Sequence, residues 1–119
     1  MSWGQSDTLS YDSIMGYYKS KTNMIEFYQM AGNSDKVSLL TKERNNFIDA
    51  LDDSYGKGFF YLVLSKTLYD SGNYQSAITN CSKEVDIYRK ILGEKHSEYS
   101  RALNNLAGYY SYVGNYSEA

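Results

Sequence analysis

The chain has 119 residues and a formal net charge of −2, so it is long enough for one domain and has no excess of positive charge to attract nucleic acid. No apolar run approaches the length of a membrane span. The single cysteine, Cys81, excludes an intrachain disulfide and any multi-cysteine metal site. We therefore expect neither nucleic acid nor membrane as a partner, and a cytoplasmic location is the default prediction.

Apolar residues at helical spacing predict two helices in the first half of the chain. The first covers about residues 10–30, and Gly32-Asn33 can end it in the left-handed conformation that glycine tolerates. The second covers about residues 34–51. Residues 52–56 are predicted to form a turn, and residues 1–9 a disordered N-terminal segment.

The second half of the chain predicts three more helices. The third covers about residues 58–70 and follows a linker at Gly56-Lys57-Gly58. The fourth has the most regular apolar stripe, with steps of three and four residues. Its members are Ile78, Cys81, Val85, Tyr88 and Leu92. The fifth is expected to begin at a cap on Ser97 and to end at Gly114-Asn115. Its expected buried stripe is Leu103, Leu106, Ala107 and Tyr110.

One six-residue motif occurs twice in similar form. Gly72-Asn73-Tyr74-Gln75-Ser76-Ala77 returns 42 residues later as Gly114-Asn115-Tyr116-Ser117-Glu118-Ala119, and a weaker echo begins at Gly32. A fixed period of this size predicts a stacked repeat protein, in which each unit buries its apolar face against the next. The motif has a physical reason, because glycine allows a left-handed turn and alanine allows two helices to cross closely. The structural motif residues are Gly72, Tyr74, Ala77, Gly114, Tyr116 and Ala119.

This turn, the linker Leu92-Gly93-Glu94-Lys95-His96 and the segment Ala102–Tyr110 together resemble the tetratricopeptide repeat. In detail they are similar to the 42-residue variety of kinesin light chains and many bacterial proteins. Two departures stand out: Ser97 replaces the proline that usually follows the linker histidine, and Glu84 takes the place of a small residue. Armadillo and HEAT repeats share the period but lack this glycine-x-tyrosine-x-x-alanine turn.

The resemblance implies an all-α fold of antiparallel helical hairpins, stacked as a tetratricopeptide-like α-solenoid of about two and a half repeats. The repeats would cover residues 10–55, 56–96 and a truncated 97–119 of one domain, residues 10–119. The first repeat is either degenerate or an N-terminal cap. Residues after Asn115 are expected to be the first turn of a sixth helix, so we expect a fragment or an open-ended module. Its C-terminal end would invite self-association.

Few side chains offer chemistry, and each has a structural interpretation. His96 is the only histidine, whereas catalysis or metal binding needs a nucleophile or further ligands beside it. Cys81 lies on an apolar stripe, as a small buried residue would. Gly56-Lys57-Gly58 lacks the spacing and the strand of a phosphate loop, and Asp52-Asp53 is expected to be solvated. We therefore expect no catalytic residue, no metal and no cofactor, and so no enzyme.

In the resembled family, the first helix of each repeat lines a concave groove that holds an extended or helical segment of a partner. The resemblance assigns nine residues to this groove: Phe59, Leu62, Lys66 and Tyr69 in the second repeat, and Arg101, Asn104, Asn105, Gly108 and Tyr112 in the third. Protein interfaces favour such tyrosine and arginine side chains. The alternative for Phe59 and Leu62 is that they contact only neighbouring helices.

The predicted function is therefore a scaffold that binds a protein or peptide partner of unknown identity. Two alternatives remain. The chain can be the sensing or regulatory N-terminal part of a longer signalling, protease or kinase chain, or it can be a self-assembly module.

Overall fold

The structure is a computed structural model that describes residues 9–118, with side chains for residues 9–114. Within these residues the chain forms five helices and no strand. They are α1 (Tyr11–Met30), α2 (Ser34–Asp49), α3 (Tyr55–Asp70), α4 (Tyr74–Leu92) and α5 (Ser97–Glu118). The all-α prediction is confirmed. The predicted N-terminal disordered segment falls, except for Leu9, outside the described residues, as does Ala119.

Two compact units divide the chain, Met1–Asp52 and Asp53–Ala119. The first unit contains the hairpin of α1 and α2. In the second unit α4 packs against both α3 and α5. The second unit is therefore one helical hairpin followed by the first helix of a further repeat, which is the element order that the 42-residue period predicts.

Both hairpins turn in the same way. Gly32 and Gly72 have positive φ angles of 73° and 90°, which a residue with a side chain adopts only at a cost. The next residues, Asn33 and Asn73, each donate their backbone N–H to a carbonyl five residues earlier, at 2.9 and 2.8 Å. These bonds form the Schellman ending of a helix. The first hairpin therefore has the backbone turn of the second, although its sequence matches the repeat poorly.

The first unit has an arginine in its core. Arg44 is buried, donates to Thr22 Oγ1 at 2.9 Å and lies 4.9 Å from the centre of the Tyr18 ring. These partners satisfy a charge that would be costly to bury alone. Burial lowers the pKa of Arg44, and the two neighbouring tyrosines oppose that change. The remaining apolar core of this unit is Ile14, Ile25, Leu40, Ile48 and Leu51.

α3 begins three residues before its predicted start. Ser54 has an extended backbone, and its hydroxyl accepts the Lys57 N–H at 3.1 Å, which is the N-cap arrangement. Gly56 and Gly58 therefore lie in the first turns of the helix and not in a linker, and both are buried. Gly58 is needed for packing, because a Cβ there would lie 2.5 Å from Cε1 of the fully buried Tyr88 in α4.

α5 begins at a different cap from the predicted one. The carbonyl of His96 accepts the Ser100 N–H at 3.2 Å, and its Nδ1 accepts the Glu98 N–H at 3.0 Å. His96 therefore takes the N-cap position, and Ser97 is the first helical residue. The only histidine of the sequence has a local structural partner.

The predicted turn at Gly114-Asn115 is wrong, and so is the separate sixth helix that was expected to begin at Tyr116. α5 continues through these residues to Glu118, and Gly114 lacks the positive φ of Gly32 and Gly72. A continuous helix keeps adding backbone hydrogen bonds. A turn forfeits some of them and is favourable only when a following helix packs back on the first.

The predicted buried stripe of α5 is also largely wrong. The side chains that face the core are Ala102, Leu106, Tyr109 and Val113. Of the predicted members only Leu106 packs there, whereas Leu103, Ala107 and Tyr110 are exposed. α5 carries two apolar faces, and the predicted stripe combined residues from both.

The core of the second unit forms where α3, α4 and α5 meet. Its buried cluster is Ala77, Ile78, Cys81 and Tyr109, surrounded by Leu68, Tyr69, Leu106 and Val113. Ala77 is fully buried, so there is no free space for a larger side chain at this point.

Replacing Ala77 with leucine should lower the free energy of unfolding by about 1–3 kcal/mol, because three extra carbons must displace packed neighbours. The exposed Gln75, two residues away, is the control: Gln75→Leu should change stability by less than roughly 0.5 kcal/mol. Chemical denaturation of the three proteins measures both values. Equal losses would contradict the close crossing at Ala77.

Gly58→Ala should lower the free energy of unfolding by about 1–3 kcal/mol, because the new methyl group meets the Tyr88 ring. A loss of stability would be informative, because replacing glycine with alanine inside a helix otherwise stabilises the helix by about 1 kcal/mol. Gly108→Ala is the matched control in α5, where nothing lies within 4 Å of an added Cβ. That change should stabilise the protein by about 0.5–1 kcal/mol. Stabilisation by both substitutions would refute the contact.

Candidate functional site

α3 and α5 lie side by side and run parallel within the second unit. At their first turns, the Tyr55 hydroxyl donates to Glu98 Oε2 at 3.3 Å, across a separation of 43 residues in sequence. Near the end of α3, the Tyr69 ring stacks on the ring of Tyr109 in the second half of α5, with centroids 4.7 Å apart. Both contacts join residues about one repeat apart in sequence, so the two helices run in the same direction. α3 and α5 therefore lie next to each other and form a shared surface.

The nine predicted groove residues lie on this surface. At about 100° per residue, they fall on one face of each helix, and this face differs from the one that packs on α4. Lys66, Arg101, Asn104 and Gly108 are exposed, whereas Phe59, Leu62, Tyr69, Asn105 and Tyr112 are half-buried. The exposed members lie between the contacts that join α3 to α5 at their two ends.

Four tyrosines, Tyr69, Tyr74, Tyr109 and Tyr112, lie together at one end of the surface. The ring of Tyr74 in α4 lies 5.3 Å from Tyr69 and 4.9 Å from Tyr112, between ring centroids. The hydroxyl oxygens of Tyr74 and Tyr112 are 3.4 Å apart. This hydrogen bond raises the pKa of Tyr112. Tyr69 and Tyr112, which were predicted as partner contacts, are first of all contacts that join the three helices.

The charged side chains among the nine groove residues are Lys66 and Arg101, and their surroundings differ. Arg101 forms an ion pair with Glu98, whose other carboxylate oxygen accepts the Tyr55 hydroxyl. Lys66 and Asn104 are exposed in the middle of the surface. Lysine offers only donors, whereas the asparagine amide can both donate and accept. The centre of the surface can therefore bind polar groups of a peptide, and the ends mainly hold the helices together.

Beneath α5 lies a buried carboxyl group that the sequence marked only as a departure from the repeat. Glu84 of α4 is fully buried, and its Oε1 lies 3.9 Å from Cys81 Sγ. Burial raises the pKa of Glu84 to about 7, and the charge of Arg101 opposes that rise. Burial and the neighbouring Glu84 raise the pKa of Cys81 to about 12. The thiol is therefore held protonated, in agreement with a structural role.

Within residues 9–114 no group of three or more histidine, cysteine, aspartate or glutamate side chains is placed to hold a metal ion. None of the described helices is long and apolar enough to cross a membrane.

The family model for the tetratricopeptide repeat matches residues 61–119, which contain most of α3 together with α4 and α5. This chain is a tetratricopeptide repeat protein. Such repeats generally mediate protein–protein interactions, and the family is a non-enzymatic scaffold. No curated protein and no solved structure matches the chain. The finer likeness of this tetratricopeptide repeat protein to the 42-residue variety stays a prediction.

The buried carboxyl group predicts a pH dependence of stability with a definite sign. The folded protein keeps the Glu84 proton up to about pH 7, whereas the unfolded chain releases it near the ordinary value of 4.5. The contribution of Glu84 is therefore fully present below pH 4.5 and is lost as the pH rises to 7 and above.

Glu84→Gln keeps the side chain neutral at every pH. It should match the wild type at pH 4 and exceed it by roughly 1–3 kcal/mol at pH 8, as denaturant titrations across this range would measure. The difference between the two proteins removes the contribution of the titrating groups that they share. A difference that does not change with pH would contradict a buried, neutral Glu84.

Proposed function

We propose that this protein is a scaffold that binds a segment of a partner protein on the surface formed by α3 and α5. The observation that carries the proposal is the parallel pair of helices, tied together at both ends, with Lys66, Asn104 and Gly108 exposed between the ties. A surface held rigid before binding loses less entropy when a partner docks.

The composition of the surface suits a peptide with both polar and apolar groups. Leu62 and Phe59 are half-buried and leave apolar area on the α3 side, while Asn104 and Asn105 place amides on the α5 side. Gly108 adds an open position, since no atom lies within 4 Å of where its Cβ would be. A peptide backbone can approach α5 closely there.

Recognition without turnover is the chemistry that these groups support. Cys81 is buried and protonated, and His96 is used as a helix cap. We therefore propose a non-enzymatic role. A regulatory part of a longer chain and a cytoplasmic location stay predictions.

The test begins with a peptide library displayed against the full 119-residue chain, followed by affinity measurements on the selected peptides. The double variant Lys66→Ala/Asn104→Ala should weaken binding by about tenfold or more, because it removes the two exposed polar groups at the centre of the surface. Its melting temperature should stay within a few degrees of wild type, since both side chains are exposed.

The matched control is Gln75→Ala/Thr79→Ala, which changes two exposed polar side chains on α4. This variant should bind the selected peptides as the wild type does. A third variant, Tyr112→Phe, separates binding from packing, because it removes the hydroxyl and keeps the ring among the four tyrosines. Peptides that bind the Lys66→Ala/Asn104→Ala variant with unchanged affinity, or a library that yields no binder, would refute the proposed surface.

A further inference from the structure

Glu84 is a buried carboxyl group that the proposed peptide recognition does not use. Its side chain is 1% exposed and belongs to α4, the helix that packs against both α3 and α5. Burial penalises the ionised form of a carboxyl group more than the neutral form. It raises the pKa of Glu84 to about 7. Glu84 therefore changes its charge near neutral pH, where an ordinary glutamate is ionised.

Titratable and charged groups of all three helices surround this carboxyl group. They are Cys81 of α4, Arg101 and Tyr109 of α5, and Asp70 of α3, whose charge acts on Tyr109. The pKa values of Cys81 and Tyr109 are both raised, so both groups are uncharged near neutral pH. Arg101 carries the one positive charge in this set, and it opposes the rise in the pKa of Glu84. An ionised Glu84 therefore attracts the Arg101 guanidinium.

Arg101 connects Glu84 to the surface formed by α3 and α5. It is one of the nine predicted groove residues, is exposed and forms an ion pair with Glu98. Because the nine include two cations, Lys66 and Arg101, and no anion, their charge favours an acidic peptide. A negative charge on Glu84 offsets the positive charge of Arg101 from the buried side. The attraction between the surface and an acidic peptide is then weaker.

A shared thiol proton also couples the charge of Glu84 to α5. Cys81 Sγ lies 3.9 Å from Glu84 Oε1 and 3.7 Å from the carbonyl oxygen of Ala102. The thiol has one proton and can donate it to only one of these oxygens at a time. An ionised carboxylate is a stronger acceptor than a backbone carbonyl. Ionisation of Glu84 therefore draws the S–H away from Ala102, the residue next to Arg101.

We propose that Glu84 is a proton switch for the surface formed by α3 and α5, which binds acidic segments of a partner more tightly when Glu84 is neutral than when it is ionised. This inference rests on the proposed function, because it assigns a regulation to the same surface. With Glu84 neutral, the charge of Arg101 is available to a carboxylate of the peptide. With Glu84 ionised, the two carboxylates compete for this charge.

The sign of the pH dependence follows from the charge states. Glu84 is neutral below about pH 7 and ionised above it, so the affinity for an acidic peptide should fall as the pH rises through this value. Linkage adds a reciprocal effect: if ionisation of Glu84 weakens binding by some factor, then bound peptide raises the pKa of Glu84 by the logarithm of that factor. A tenfold change in affinity corresponds to a shift of about one pH unit.

The probe is an acidic peptide without histidine, selected from a random library displayed against the full 119-residue chain at pH 6. Its aspartate and glutamate side chains are ionised at pH 6 and at pH 8, so the peptide itself does not titrate in this range. We expect the dissociation constant, measured by fluorescence anisotropy, to be about fivefold or more higher at pH 8 than at pH 6. Carboxyl carbon NMR of Glu84, with and without the peptide, measures the reciprocal shift. This second measurement uses the wild type and does not depend on the folding of a variant.

Three comparisons make the test specific. Glu84→Gln stays neutral and should bind at pH 8 as tightly as the wild type binds at pH 6. His96→Asn removes the only histidine and supplies another residue type that caps helices, so it should keep the pH dependence of the wild type. The peptide with amides in place of its carboxylates should bind equally at both pH values. Unfolding of the protein at pH 8 would instead weaken both peptides.

Failure of the switch and failure of the proposed surface give different results. A library that yields no binder, or peptides whose affinity Lys66→Ala/Asn104→Ala leaves unchanged, would refute the surface and the switch with it. Peptides that this double variant weakens, but that bind equally at pH 6 and pH 8, would refute the switch alone. A pH dependence that persists in Glu84→Gln, or a Glu84 carboxyl signal that is already ionised at pH 6, would refute it as well.

Discussion

Every feature of the second unit depends on how closely α4 can approach its neighbours. Ala77 and Gly58 are two positions where a small residue lies in such a contact: Ala77 lies in the cluster shared by all three helices, and Gly58 faces the Tyr88 ring. Because both positions lack bulk, α4 can lie against α3 and α5 at once. The two outer helices are then close enough for Tyr55 to reach Glu98 and for Tyr69 to stack on Tyr109. The surface formed by α3 and α5 therefore depends on small residues at the contacts with α4.

The local features of the fold could be predicted because their causes are local. Gly32 and Gly72 end helices through a backbone conformation that needs glycine, and the asparagine that follows each supplies the closing hydrogen bond. The start of α3 could not be predicted in the same way. Two glycines in three residues lower helix propensity, and only the tertiary contact with Tyr88 explains why one of them lies in a helix.

The site shows the same division between local and tertiary causes. The resemblance to the tetratricopeptide repeat assigned Lys66, Asn104 and Gly108 to the groove, and all three are exposed in the structure. Neither the resemblance nor helical spacing could reveal the hydrogen bond between the Tyr112 and Tyr74 hydroxyls, since that contact joins the first residue of α4 to the second half of α5. Helical spacing also misassigned the buried face of α5. A helix with two apolar faces has no single stripe, and spacing alone does not say which face meets the protein.

Glu84 illustrates how a binding scaffold can tolerate a group that its core disfavours. The repeat has a small residue at this position, and the carboxyl group there faces a thiol and the charge of Arg101 instead of water. Its raised pKa is the thermodynamic measure of that burial. Arg101 connects this buried group to the surface, because the same guanidinium pairs with Glu98 beside the first turn of α3. A change in the protonation of Glu84 would therefore act first on the packing of α4 against α5. Since α5 also carries Asn104 and Gly108, the proposed binding surface depends on this packing.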